Sequence, residues 1–447
     1  MIEMRRALLV TLFVTFFVAC GSLEGPRALA PTPSAAAAPR LPQPIAQPIT
    51  RVGAGGQVAW LWSFSPDRKR SLVGIGPKSD VVAQLDDATL AGATAFWRSA
   101  EGDTLFIARP NEIATYSAFN GKPQRSYPNP AAAIADTAVS RNGRWLAILS
   151  AGPDPQLHLI DLSSGSVQMT PVIHDPNAKL PGLSGQTAAA LWGLVIFASD
   201  SQSLYTLTDW GGPARITAFT LAAGKLTQTN TAVDGQSGRR LPSCGGPAAA
   251  ASVSVRAQAL VIFCHVDGAV WFFDLTALGN VIVVQADQPN PFWLSPIFTP
   301  DGQLLYLHQW PAFGDKMQVV DLASRKLLGP VPTPTKLGDP GPFSWRVPMA
   351  YAGGTASTVP ISPDGLKLYS ATDDGVIVLR VPDLRPLVKL APGFHVNEVW
   401  VSGNGRTLFA TAGDLKSVLV INEDGSGTPS VITVSNTFGG FIASERG

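Results

Sequence analysis

Five histidines are the first place to look for chemistry, because imidazole supplies most general bases and metal ligands at neutral pH. They stand at 158, 174, 265, 308 and 395, far apart along the chain. No C-x-x-C-H and no H-x-x-x-H occurs, so neither a haem attachment nor a local zinc pair can be argued. G-x-S-x-G is absent too, which removes the nucleophile elbow. Asp301 and Asp364 lie in P-D-G turns, where a carboxylate bonds its own backbone. The sequence therefore predicts no catalytic residue, no metal ligand and no cofactor. A divalent ion gathered by carboxylates from distant segments is a chemistry that local spacing does not reveal.

A second set of candidates consists of aromatic and arginine side chains on unusually long connections. TDWGGPA (208–214), VDGQSGRRLPSCGGP (233–247), HQWPAFGDK (308–316) and the stretch 329–354 carry Trp210, Arg239, Arg240, His308, Trp310, Phe313, Trp345 and Arg346. Aromatic and Arg residues anchor interfaces and sugar-like sites. These eight residues are the expected binding face.

The elements that carry these loops are repeats. SPDGLKLYSATDDGVIVLRVPDL (362–384) has relatives beginning at 65, 99, 140, 199, 254, 299 and 402. The steps run from 34 to 63 residues, the size of blades rather than of heptads. In one unit an apolar strand enters S/T-P-D-G, whose Pro, Asp and Gly each favour a tight turn. A second strand follows, then a loop, then a third strand of V-x-V-x-D-L type, a small turn and a more polar fourth strand. Four antiparallel strands with two apolar faces must pack against further sheets. The expected fold is an all-β propeller of eight four-stranded blades, or seven if one short unit is shared. The extra length falls between second and third strands and between units. In an up-and-down sheet both connections emerge on one face. Trp62, Trp97 and Trp400 lie just before turn anchors and Trp271 lies in a third strand, which reads as packing between blades.

Bulk composition agrees. Gly (43) and Pro (38) are abundant in 447 residues, which favours turns over long helices. The net charge is +1 and only 15% of residues are charged, so no nucleic-acid partner is expected.

The units resemble YVTN-type and quinoprotein-dehydrogenase-like propellers, with x-P-D-G-x-x-L-Y-V-A followed by V-x-V-I-D-x-x-T-G-K, over roughly residues 50 to 435. The resemblance implies the fold; such propellers host both enzymes and binding modules. A lactonase-like hydrolase using a funnel metal is the enzymatic alternative. A quinoprotein-type dehydrogenase ranks behind it, since the segments end in SVQM, KLLG and PQRS without the Trp that docks the quinone in that family. The G-H…W-D pairing of WD40 blades is also missing.

MIEMRRALLVTLFVTFFVAC (1–20) has a basic start and an apolar run too short for a comfortable membrane span. Its end, FVAC, resembles the bacterial lipobox, which implies a lipid on Cys20. Several acyl chains on one residue anchor stably where one is marginal. Residues 1–19 then form a lipoprotein signal peptide, 20–49 a Pro/Ala-rich tether, 50–437 the propeller and 438–447 a tail. The expected setting is extracytoplasmic, lipid-anchored to a bacterial membrane at the cell surface or in the periplasm. Outside the cytoplasm Cys244 and Cys264 are candidates for a disulfide. The expected partners are the membrane and one protein or cell-envelope ligand, bound by a monomeric, non-catalytic scaffold.

Overall fold

An antiparallel sheet whose strands alternate apolar side chains toward both faces has two surfaces to hide. The chain solves this by packing sheet on sheet in a closed circuit. The structure is a computed structural model that describes Gln43 and residues 54–99, 102–151, 154–172, 193–208, 215–233, 249–254, 257–264, 269–278, 281–285, 294–309, 316–332, 360–434 and 436–442. They form eight sheets, numbered here as blades 1 to 8.

Blade 2 holds Ala95–Arg98, Thr104–Ala108, Glu112–Ser117 and Pro123–Pro128, from the innermost strand outward. Blade 3 holds Ile134–Val139, Trp145–Ser150, Gln156–Asp161 and Val167–Pro171. Blades 4, 5 and 6 begin at Leu194, Ala249 and Leu294 and repeat the order. Blade 7 holds Lys367–Thr372, Gly375–Arg380 and Pro386–Leu390, with Ile361 bridging to Leu368 where an inner strand belongs. Blade 8 holds Val396–Val401, Thr407–Ala412, Ser417–Asn422 and Ser430–Thr433. The fourth strands are the exposed ones, the polar PQRSYP of blade 2 and the largely apolar PLVKL of blade 7 alike.

Eight apolar clusters fill the eight gaps between consecutive blades. Tyr116 and Trp60 belong to the cluster between blades 1 and 2, Leu149 and Phe219 to that between 3 and 4, Ile262 and Tyr205 to that between 4 and 5. The last cluster joins Phe409 and Val418 of blade 8 to Leu61 and Phe438 of blade 1. The fold is thus an eight-bladed β-propeller, and its core is a ring of interfaces rather than one centre.

Closure uses the C-terminal strand. Thr437–Phe441 pairs with Ala59–Phe64 and becomes the inner strand of blade 1, whose other strands are Arg70–Ile75 and Val81–Leu85. This corrects two expectations. Ser65 is not the turn between first and second strands. It sits between the second and third, and its hydroxyl accepts the N–H of Lys69, four residues on, with Arg68 rather than Gly at positive φ. The short 34-residue step to Ser99 follows from that shift. The propeller also runs past residue 437, since Phe438, Phe441 and Ile442 are buried in the ring.

The true anchors share one geometry. Ser140 Oγ accepts the N–H of Trp145 at 2.9 Å, its carbonyl accepts the N–H of Gly143, and Gly143 takes φ +68. Thr299 and Leu304, Ser362 and Lys367, and Ser402 and Thr407 repeat the five-residue bond. Asp301 and Asp364 serve these turns by accepting backbone N–H groups of Gln303 and Leu366.

Polar latches set the angle between blades. Seven residues after the anchors of blades 6 and 7 stand Tyr306 and Tyr369. Tyr306 donates its hydroxyl to Pro382 O of blade 7 at 3.0 Å, and Tyr369 donates to Glu423 of blade 8 at 3.1 Å. Trp60 Nε1 donates to Ala118 O of blade 2, and Tyr127 donates to Leu162 O of blade 3. One such bond contributes about 1 kcal/mol, against about 1.5–3 kcal/mol for each buried apolar side chain. Burial holds the blades together; the latch selects their orientation. Tyr306→Phe leaves a buried carbonyl without its donor and is expected to cost about 1–2 kcal/mol. A lowered guanidinium midpoint with unchanged slope is the readout.

Candidate functional site

Strand order divides the connections between two faces. Turns from first to second and from third to fourth strands lie on one face, and all of those described are short. Connections from second to third strands and from blade to blade lie on the other. The strand ends Pro171 and Leu194, Val233 and Ala249, and Pro332, where the sequence from blade to blade is longest, lie on that loop-rich face.

The expected binding residues mostly fall elsewhere in the chain than the described parts. Trp210, Arg239, Arg240, Trp310, Phe313, Trp345 and Arg346 lie outside the described residues, as do Cys20 and Cys244. His308 stands on the second strand of blade 6, opposite Ser295 and Met317, near its loop-rich end. Cys264 ends the second strand of blade 5, opposite Ala249 and Ala269. The described tryptophans behave as packing residues. Trp97 is buried and stacks on Phe106 at 5.4 Å, and Trp400 lies 5.5 Å from Phe409.

The described part of the loop-rich face carries interleaved charge. Arg109 pairs with Glu112, Lys389 with Asp374 and Lys69 with Asp67. His395 Nδ1 lies 2.9 Å from Asp373, and its Nε2 faces Asn397 Oδ1 at 3.1 Å. Exposed pairs of this kind contribute little to stability. Their alternating sign leaves no basic track on these segments.

Sequence reasoning missed the acids of the inner strands. Asp136 stands four residues before the anchor Ser140, and Glu398 four before Ser402. Both sit at bulges where the register of the inner strand shifts. Asp136 accepts the N–H of Thr137 and, from the inner strand of blade 4, the N–H of Val195, each at 2.7 Å. Glu398 Oε2 accepts the N–H of Phe441, from the inner strand of blade 1, at 3.3 Å. One device therefore recurs: a carboxyl at one register position pins the next blade's inner strand. Burial pushes Asp136 well above the usual carboxylate range, against its two backbone donors. Burial likewise pushes Glu398 up to about 8, opposed by the single Phe441 donor. Glu398 Oε1 is buried and has no partner. The signal was legible in principle, since IADTAVS and VNEVWVS each place one acid in an apolar strand at the same distance from the turn.

The closing strand is built around these groups. A Cβ on Gly439 would run into the Trp62 indole, and Gly440, at φ +137, lies under the Glu398 carboxyl. Arg98, the last residue of the inner strand of blade 2, is fully buried. Its Nη2 donates to Gly55 O at 2.9 Å and Gly102 O at 2.8 Å, and its guanidinium lies 5.1 Å from the Trp400 ring centroid. Burial draws Arg98 down to about 10, partly offset by Asp103. Arg98 thus ties blade 2, blade 8 and the N-terminal turn Gly55–Gln57 across the seam.

Chemically, these groups are pins. Both oxygens of Asp136 are engaged by N–H donors. Among the described residues no three His, Cys, Asp or Glu side chains converge on a common point. His158, buried on blade 3, has a pKa lowered by burial and an unpartnered Nδ1.

Glu398 gives a defined pH signature. Its folded value, near 8, lies above its unfolded value, near 4.5. Its contribution to stability is complete below the unfolded value, and is lost as pH rises to about 8. Glu398→Gln is expected to flatten stability between those limits and to exceed the parent at pH 9 by on the order of a few kcal/mol. Denaturation midpoints across pH provide the measurement.

No family model matches the chain, and no curated protein matches it. Solved structures do. NirN, a dihydro-heme d1 dehydrogenase in complex with DHE, aligns with a TM-score of 0.58 and 15% identity, over 90% of this chain and 77% of that one. Hydrazine synthase of Kuenenia stuttgartiensis aligns with a TM-score of 0.43 and 14% identity, over 77% of this chain and 96% of that one. A functionally unknown protein from Desulfotomaculum acetoxidans gives the same four values. At 15% identity the NirN likeness is one of fold.

Proposed function

We propose that the chain is a membrane-anchored, extracytoplasmic propeller that works as a binding or scaffold module through its loop-rich face. One observation carries the reading: both ends of the propeller sit on the short-turn face. Gly56 donates to Asp103 Oδ1, and Gly403, in the first turn of blade 8, donates to Gly56 O. Gln43 O accepts from Gln303 in the first turn of blade 6. At the other end, Ile442 donates to Trp60 O as the closing strand leaves the ring. The described beginning and end of the ring therefore lie on the face opposite the one assigned to recognition. A lipid on Cys20 would hold the propeller by the side it does not use for recognition, and Cys244 and Cys264 would pair to brace the entry to blade 5.

The ligand is a protein or a cell-envelope component, met by Trp210, Arg239, Arg240, His308, Trp310, Phe313, Trp345 and Arg346. A metal-dependent, lactonase-like hydrolase, or behind it a quinoprotein-type dehydrogenase, is the alternative. The observation favouring it is Glu398, an inner-strand acid whose Oε1 is buried without a partner and whose pKa burial pushes up to about 8.

In-cell cross-linking with mass-spectrometric mapping tests the reading. One recurring partner, linked through 208–214, 233–247, 308–316 or 329–354, is the expected result. Links scattered over the blades, or bound metal or a chromophore in the purified protein, favour the enzyme. Cys20→Ser is expected to move the protein from the membrane to the soluble fraction. Unchanged fractionation of that variant defeats the anchor without touching the cross-linking result.

A further inference from the structure

The crevices between blades on the short-turn face are repeats of one another, so their fillings can be compared. Between blades 7 and 8 the crevice is occupied by its own side chains. Lys367 pairs with Glu423 at 2.6 Å, the Tyr369 hydroxyl joins them, and a cavity of ≈ 230 Å³ remains. Between blades 6 and 7 the Tyr306 hydroxyl reaches Pro382. The crevice between blades 2 and 3 has none of these fillers. Thr104 stands five residues after its anchor, where blade 7 has Lys367. Phe106 stands seven after it, where blades 6 and 7 have tyrosines. Leu162 follows the third strand of blade 3, where blade 8 has Glu423. The latch is made instead from the outer strand, where Tyr127 donates to Leu162 O and Arg125 donates to Leu162 O and Ser163 O at the rim. The latch is kept while the space under it is left open, as a cavity of ≈ 500 Å³.

We propose that this cavity is a binding site for a neutral saccharide unit. Its volume falls in the range of small-molecule sites, about 300–1,000 Å³. Its rim mixes donors and acceptors. The Thr104 hydroxyl, the Gln124 amide and Asn142 Nδ2 line it and make no hydrogen bond with the described residues, and Asp103 has engaged only Oδ1. Arg125 and Asp103 are of opposite sign, which gives a polyanion no net attraction. Phe106 and Tyr127 are 2% and 7% exposed, so no ring face is open for a planar base. Hydroxyls of a compact polyol satisfy such a rim, and the site recognises them through polar contacts rather than through an aromatic platform. This site is on the face opposite the loops and stands independently of the proposed partner.

Calorimetric titration of the full-length protein in detergent tests it. The probes are glucose, maltose, N-acetylglucosamine and its β-1,4 dimer, with inorganic phosphate as the anion. At least one saccharide is expected to bind and phosphate is not. The Thr104→Lys, Leu162→Glu double variant rebuilds the ion pair of blades 7 and 8 and is expected to weaken binding at least about tenfold. Gln124→Ala with Thr104→Val, which removes two rim groups that make no hydrogen bond with the described residues, is expected to weaken it in the same direction. Tighter binding of a dimer than of its monomer assigns the end of a glycan; equal binding assigns the free sugar. No saccharide binding up to about 10 mM, binding of phosphate alone, or undiminished binding in both variants overturns the proposal.

Discussion

Everything in this molecule depends on the burial of two apolar faces per sheet. A blade such as Trp145–Ser150 with its neighbours is buried along its whole second strand, so neither face can meet water. A single sheet offers no solution to that constraint, and a stack of sheets leaves two ends exposed. Only a closed circuit has no ends, and the eighth cluster, joining Phe409 to Phe438, is where the circuit closes. This makes the closing strand unlike any other. Among the described residues it is the one inner strand bound to its blade without a covalent hairpin; Glu398 pins it from blade 8, while Arg98 ties blade 2 to the N-terminal turn and to Trp400 of blade 8. Both are ionisable groups in places where burial disfavours charge. They recur at a seam because a backbone N–H or carbonyl left unpaired in the ring would cost more than a protonated acid does.

The fold was legible from the turns and the strands together. Ser140, Thr299, Ser362 and Ser402 announce themselves because one hydroxyl must accept an N–H five residues on and one Gly must follow, and those demands fix the letters. Ser65 misled because S-P-D satisfies a tight turn equally well between any two strands; sequence carries the turn's chemistry and not its place in the sheet. The C-terminal strand TFGGF was hidden for a related reason. Its glycines are demanded by Trp62 and Glu398, residues far away in the chain, and no local pattern declares a strand with so little β propensity. The inner-strand acids were overlooked because one acid in a strand resembles a solvent-facing position. Only alignment on the turn reveals that Asp136 and Glu398 occupy the same place. Loop lengths pointed to the loop-rich face, whereas the eight aromatic, His and Arg candidates came from composition alone, and all but His308 lie outside the described residues.

A repeat architecture lets burial and recognition be separated. Because each interface buries enough apolar surface to hold its two blades, the polar contacts around it are free to vary without loss of the ring. The latch shows this directly. Trp60, Tyr306, Tyr369 and Tyr127 bring four donors from different starting points to the same region after the next blade's third strand. Conserving the position of the acceptor while changing the source of the donor keeps the angle between blades. It also changes what is left beneath. Where the donor comes from the second strand it fills the crevice on its way. Where it comes from the outer strand, as with Tyr127, it bridges the crevice and leaves a cavity.

That separation also assigns different work to the two faces. Short turns whose hydrogen bonds are fully engaged, as at Ser140 and Asn142 Oδ1, make a surface with little freedom to remodel. Such a surface suits small, shaped sites between blades and the docking of the chain ends. Long connections leave from strand ends already fixed by the ring, so they can change length at small entropic cost, growing only with the logarithm of loop length. A propeller that keeps its ends and its latches on one face is therefore free to diversify the other without reopening the question of how it closes.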